Sequence, residues 1–211
     1  MLLRILTLAS CMLYVTLVAW GAQAFENSSP KKGDTLFRGR VVAVVPDTSG
    51  NIVPIGGEPH ISTAILPEPS LSYFLTDNIA VEGIIGIIPH RAKARNTALG
   101  TRDAGYIYAL APTVMLQYHK DVTERIKPYL GIGMAYVKYF EDDTVDQLQY
   151  KDDIAAIIQA GVDIAITDKF YANLDVKKIW ADTEAKINGG AANAKVNFDP
   201  TIYGVGLGYK F

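Results

Sequence analysis

Cysteine is all but missing from this chain. Its 211 residues contain one, Cys11, so no internal disulfide can form and thiol chemistry has a single residue to rest on. Long apolar runs are scarce as well. Beyond residue 25 none approaches the ~20 residues that a spanning helix needs. Ile79 to Pro89 is interrupted by Glu82, and Ile154 to Ile166 by Asp163. A bundle of membrane helices is therefore excluded, although 49% of the residues are hydrophobic. An excess of one charge is missing too. Lys and Arg number 20 against 22 Asp and Glu, without a basic cluster, and nothing in that balance points to nucleic acid.

The one long apolar stretch stands at the start. Arg4 precedes Ile5 to Trp20, and the small-x-small triplet Ala22-Gln23-Ala24 follows. These are the three regions of a secretory signal peptide, so residues 1–24 are expected to be removed after Ala24. Removal takes Arg4 and Cys11 with it and leaves 19 basic residues against 22 acidic ones. Leu8-Ala9-Ser10-Cys11 looks like a lipoprotein cleavage box, but only Ile5 to Leu8 precede it. That is shorter than the usual apolar region of about 7–15 residues. Residues 25–34, with Ser28-Ser29-Pro30-Lys31-Lys32-Gly33, are expected to form a flexible polar tether.

From residue 35 to 211 the pattern has a period of two. Eight strand segments are predicted near residues 36–45, 69–76, 79–89, 105–119, 128–140, 154–166, 170–180 and 201–211. Short connections at 77–78, 120–124 and 167–169 alternate with long ones at 46–68, 90–104, 141–153 and 181–200. Short turns at one end and long loops at the other describe an outer-membrane barrel, and an even strand count lets the sheet close without a free edge. The predicted fold is all-β: an eight-stranded antiparallel transmembrane barrel with short periplasmic turns and long extracellular loops.

The fourth segment carries that argument. Tyr106, Tyr108, Leu110, Pro112, Val114, Leu116 and Tyr118 share one face, apolar in the middle with tyrosines at both ends. A strand presents such a face to lipid, with ring hydroxyls at the headgroups. A soluble sandwich or lipocalin-like carrier would show charge there. The sixth segment repeats the pattern from Ile154 to Ile166, with Gln159 and Asp163 on the other face. The seventh puts Phe170, Leu174, Val176 and Trp180 outward, with Lys178 snorkelling at the upper interface. In the fifth, Leu130, Ile132, Met134 and Tyr136 are assigned to lipid.

Eight strands enclose a space that side chains nearly fill, which leaves no wide pore. Low in that space the alternation places Arg38, Arg40, Glu82, Asp163, Asp175 and Lys177. They are expected in one layer, joined by Gln117 and Asn173, because charges inside a narrow barrel are tolerable only when paired. Higher up the inward positions turn apolar. Val42 and Val44 come from the first strand, Ile84 and Ile88 from the third, and Ile107 and Ala109 from the fourth; Ile157 and Ile179 complete the set. This upper lumen is either plain packing or a site for small hydrophobic molecules.

The chain closes on Tyr203-Gly204-Val205-Gly206-Leu207-Gly208-Tyr209-Lys210-Phe211. Gly206, Tyr209 and Phe211 resemble the C-terminal signal read by the barrel assembly machinery, while Gly204 departs from its usual polar residue. Leu66 to Glu82, Leu110-Ala111-Pro112-Thr113 through His119, Pro128 to Gly133 and Asp199-Pro200 together resemble the OmpW family over nearly all of residues 35–211. Ala111 stands where the family usually has a second proline. The resemblance implies an eight-stranded barrel among outer-membrane lipid and lipopolysaccharide, with a hydrophobic lumen for passage of small hydrophobic compounds.

An enzyme barrel is the rival with a different chemistry. His60 lies in a loop, His90 at the top of the third strand and His119 near a periplasmic turn, so none has a placed catalytic partner. No catalytic residue, metal site or cofactor is assigned. Asp142-Asp143 and Asp152-Asp153 are read as solvated charge. A structural or adhesive barrel acting through its outer loops is the other alternative.

Overall fold

The computed structural model describes residues 28–53, 58–97, 100–141, 148–150, 152–187 and 192–211. The expected signal peptide at 1–24, residues 25–27 and Asp142-Asp143 lie outside the described residues. The first strands are β1 (Thr35–Val45), β2 (Thr48–Val53), β3 (Glu58–Ile61), β4 (Ala64–Phe74) and β5 (Ile79–Ile84). Next come β6 (Ile87–Thr97), β7 (Gly100–Leu110), β8 (Thr113–His119), β9 (Ile126–Glu141) and β10 (Leu148–Tyr150). The last are β11 (Asp153–Ala165), β12 (Phe170–Ile187), β13 (Ala192–Phe198) and β14 (Thr201–Lys210).

Eight staves form the wall: β1, β4, β5 with β6, β7 with β8, β9, β11, β12 and β14. Each is antiparallel to its neighbours, and β14 returns to β1 from Leu36↔Lys210 to Val45↔Thr201. The sheet is a closed barrel, so its first and last strands leave no free edge.

The outer face matches the alternation in the sequence. Leu130, Ile132, Met134 and Tyr136 of β9 are exposed, as are Val114, Leu116 and Tyr118 of β8. Ile132 is 64% exposed, which in water would be an aggregation surface and in a bilayer is the required contact. Tyr73, Tyr118, Phe170 and Phe211 ring the lower end; Tyr108, Tyr136, Phe140 and Trp180 ring the upper one. The Lys178 ammonium donates to the Asp199 carbonyl at 2.6 Å at the upper end of the wall.

Three expectations about elements are corrected. The second stave begins at Ala64 rather than 69. The stretches at 90–104 and 181–200, expected as loops, belong largely to the hairpins β6–β7 and β12–β13. In these stretches the sequence lacks the alternating hydrophobicity of the lower staves. Finally, residues 28–34 of the expected tether are packed across the periplasmic mouth. Ser28 and Pro30 are buried, the Tyr171 hydroxyl donates to the Ser28 carbonyl, and Lys127 Nζ donates to Ser29 Oγ at 2.8 Å. The Lys32 amide donates to Asp77 Oδ1 at 2.9 Å.

Candidate functional site

Inward positions on the staves build the site in two tiers. The lower tier is polar and spans several layers rather than one. Arg38 grips Asp163 with both arms, Nε to Oδ1 at 3.0 Å and Nη2 to Oδ2 at 2.6 Å. Its Nη1 reaches Glu82 Oε1 at 3.3 Å and Ser72 Oγ at 2.6 Å. Arg40 takes the other side of Glu82 at 3.0 Å and passes on to Glu68 at 3.1 Å. Lys177 follows, 2.7 Å from Glu68 Oε1 and 2.6 Å from Asp175 Oδ1. The second of those contacts lacks hydrogen-bond geometry.

Neutral groups complete the mesh. Gln117 and Gln159 donate to Glu82 Oε2 at 2.7 and 3.0 Å, and Asn173 Oδ1 accepts from Arg40 Nε at 2.7 Å. The Tyr129 hydroxyl donates to Asp175 Oδ2 at 2.8 Å. Tyr129 can reach there because the facing residue is Gly161; a Cβ at that position would collide with the phenol ring. Gly206 does the same for the seam, where a Cβ would meet the backbone of Gly39 and Arg40. All six charged residues predicted for the floor are buried in it. Glu68, Ser70, Ser72, Gln159 and Tyr129 are additional members.

The upper tier is apolar. Val42, Val44, Leu66, Ile84, Ile157 and Ile202 surround a cavity of about 40 Å³ with the partly buried Ile88 and Ile179 at its mouth and Glu68 and Lys177 at its floor. Val42, Val44, Ile84, Ala109 and Ile157 are buried as expected, while Ile88 and Ile179 are partly buried. Ile107 belongs to β7, but its side chain lies outside the described residues. An apolar void of about 150 Å³ is what benzene fills. As it stands the cavity holds a water-sized group or two, and an apolar solute enters only if its walls move.

One wall is interrupted. Pairing of β4 with the third stave stops at Ser70↔Ile84. Above it, among the described residues, the next link is the Ser62 amide to the Arg91 carbonyl at 3.1 Å. Phe74 exchanges backbone hydrogen bonds with Asp34 and Gly33, whereas Leu75 donates to Ile79. Even-numbered residues of the second stave thus turn their amides to the first stave, and odd-numbered ones to the third. Pro67 and Pro69 are odd, so the positions that should donate across this seam have no N–H. On the third stave Gly86 accepts from Ala111, away from the seam, and Arg91 faces it. Pro89 shares the parity of Arg91. Three prolines therefore line a window between β4 and β6. Leu66, Ile84 and Ile88 stand inside it. Outside, an apolar groove of about 650 Å³ runs past Pro69, Leu71, Ile85 and Val114.

The histidines are scattered. His119 is buried low, its ring 4.9 Å from Phe74 and 5.0 Å from Tyr129, and within 3.1 Å of Gln117 Oε1. His60 belongs to β3 and His90 to β6. Tyr209 and Phe211 lie edge to face, 4.9 Å apart, beside Gly206 on the closing strand.

Comparison with known proteins places this architecture. Residues 31–211 match the OmpW family. An uncharacterized outer-membrane protein of Sinorhizobium fredii is 35% identical over 92% of this chain and 91% of its own. Outer membrane protein W of Escherichia coli is 32% identical over 67% of this chain and 71% of its own. The crystal structure of the outer membrane protein OprG from Pseudomonas aeruginosa superposes with a TM-score of 0.79. It is 25% identical over 87% of this chain and 98% of that one.

Proposed function

Since this chain belongs to the OmpW family and is an outer-membrane protein, we propose that it is a non-enzymatic conduit for small hydrophobic molecules. The solute enters the apolar upper lumen from the extracellular side, cannot cross the charged floor, and leaves sideways into lipid between β4 and β6. Val42, Val44, Ile84, Ile88, Ile107, Ala109, Ile157 and Ile179 would form its path.

The observation that carries this reading is the window. An interior of plain packing has no use for three prolines that withhold donors from one seam of an otherwise continuous wall. The missing N–H groups give the exit its physical basis. Below the window the floor side chains are fully enclosed and mutually bonded, which disfavours a straight aqueous route. Handover to the barrel assembly machinery through Gly206, Tyr209 and Phe211 belongs to the same proposal, as does contact with lipopolysaccharide.

A cross-link tests the exit. Leu66 and Ile88 line the same cavity from the two sides of the window, and the expected mature chain has no cysteine of its own to interfere. In a Leu66→Cys/Ile88→Cys protein reconstituted in vesicles, oxidation should stop uptake of a fluorescent hydrophobic probe and reduction should restore it. Uptake that proceeds equally in the oxidised form would defeat lateral release. A single-channel recording should show little ion conductance with the window open or shut.

A further inference from the structure

The groove outside the window belongs to neither tier of the lumen, and its course follows the pairing of the staves. Phe37 of β1, Leu71 of β4, Gly83 of β5, Val114 of β8 and Met134 of β9 stand in one register line; Tyr136, paired with Ile154, continues it one outward step higher. Gly83 leaves the trough open, since a Cβ there would meet nothing within 4 Å. Its volume of about 650 Å³ is that of a ligand site.

The line has the length and pitch of a lipid chain. Crossing six staves takes five steps of ~4.8 Å, roughly 24 Å in all. Outer-membrane strands tilt by about 35–45°, so the line descends about 15 Å around the barrel, the depth of one leaflet of a ~30 Å hydrocarbon core. Its upper end reaches Tyr136 in the upper aromatic ring. Its lower end stops at Phe37, one outward position above the Thr35↔Tyr73 pair. A chain that fits this trough therefore hangs from the outer leaflet.

The upper end also selects the head that such a chain carries. Lys138, the next outward residue above Tyr136, is exposed, with its ammonium 5.5 Å from the centre of the Phe140 ring. It has no ion-pair partner among the described residues. The Asp152 carboxylate is engaged by the Tyr136 hydroxyl, which donates to Oδ2 at 2.6 Å. An unpaired cation at headgroup level attracts an anionic lipid.

We propose that this groove seats one acyl chain of lipopolysaccharide, with a phosphate of its lipid A at Lys138. The proposal rests on the lipopolysaccharide contact named above and not on passage of a solute. Ile84 and Thr113 line both the groove and the inner cavity, so the seated chain lies against the wall at the lower edge of the window.

The test is photo-cross-linking of the refolded protein in phosphatidylcholine vesicles that contain a trace of lipid with a diazirine midway along one acyl chain. The photoreactive lipid is lipid A in one arm and phosphatidylcholine, at equal mole fraction, in the other. On wild type, lipid A should label Leu71, Val114 and Met134 in preference to Leu174, Val205 and Leu207 of the opposite wall, all six of which are exposed. That preference should exceed the one shown by phosphatidylcholine about fivefold, the scale of one lysine at an anionic lipid surface. Lys138→Gln should bring the two lipids level. Gly83→Phe, whose ring fills the trough, should abolish the preference of both, with heat-modifiable gel mobility showing that the barrel is intact. Even labelling of both walls, or a preference that survives Gly83→Phe, overturns the groove as a seat. Equal preference by both lipids on wild type overturns the anionic occupant. If lipid A labels every residue of wild type less than phosphatidylcholine does, the lipopolysaccharide contact itself fails. Should Gly83→Phe not fold, the comparison of the two lipids on wild type and Lys138→Gln still decides.

Discussion

Glu82 accepts hydrogen bonds from Arg38, Arg40, Ser70, Gln117 and Gln159. Removing it takes from Arg38 and Arg40 the buried carboxylate they share, leaving each a single ion partner in Asp163 or Glu68, and takes an acceptor from Gln117 and Gln159. Glu82→Ala should cost about 3–5 kcal/mol in urea unfolding from detergent, and a shift below about 1 kcal/mol would mean a solvated floor. The cost measures the stranded partners, since paired charges need not outperform apolar packing. Ile88→Lys should preserve the fold, because the partly buried site lies at the cavity mouth, but abolish binding of a hydrophobic probe. Equal binding by both proteins would reduce the upper lumen to packing. Six floor charges were legible from alternation alone. Glu68 falls in the stretch 46–68 expected as a loop, one residue before the strand expected from 69, although Leu66, Glu68, Ser70, Ser72 and Phe74 keep one parity throughout.

At the scale of elements, what the residue pattern revealed depended on lipid. Where a strand meets hydrocarbon on one side, apolar residues recur every second position and the strand was visible, as in β8, β9 and β11. Above the membrane that contrast vanishes. The run Arg91-Ala92-Lys93-Ala94-Arg95 alternates charge with alanine inside β6, and it was taken for loop. The window is invisible in the sequence for another reason: it depends on which neighbour each amide faces, and that requires the register. Pro69→Val returns a donor to the β4 edge. It should narrow the window and slow probe uptake into vesicles, with binding to the detergent-solubilised protein unchanged. Unaltered uptake would show that the missing donors do not control the exit.

For the whole molecule, closure is the dominant fact. β1 and β14, the first and last strands, pair over ten residues, and the Phe211 amide donates a hydrogen bond to the Thr35 carbonyl at 2.9 Å. The closed ring should resist dodecyl sulfate at room temperature and run at a different gel mobility after boiling. Identical mobility before and after would contradict a closed barrel.

The packed segment at the periplasmic mouth carries a consequence for the order of assembly. Its partners are dispersed: the Glu124 carbonyl and Lys127 around the start of β9, Tyr171 on β12, and Phe74 at the end of β4. Lys210 of β14 adds a contact to the Ser29 carbonyl, so the full seat draws on staves from β4 to the last strand, and residues 28–34 are expected to settle once that strand is in place. Lys31 and Lys32, exposed on this segment, are then a built-in clock. During refolding, trypsin should cut there readily at early times and slowly once the ring is complete, with protection rising together with the heat-modifiable form. Protection that comes earlier would mean that the N-terminal segment guides closure rather than follows it.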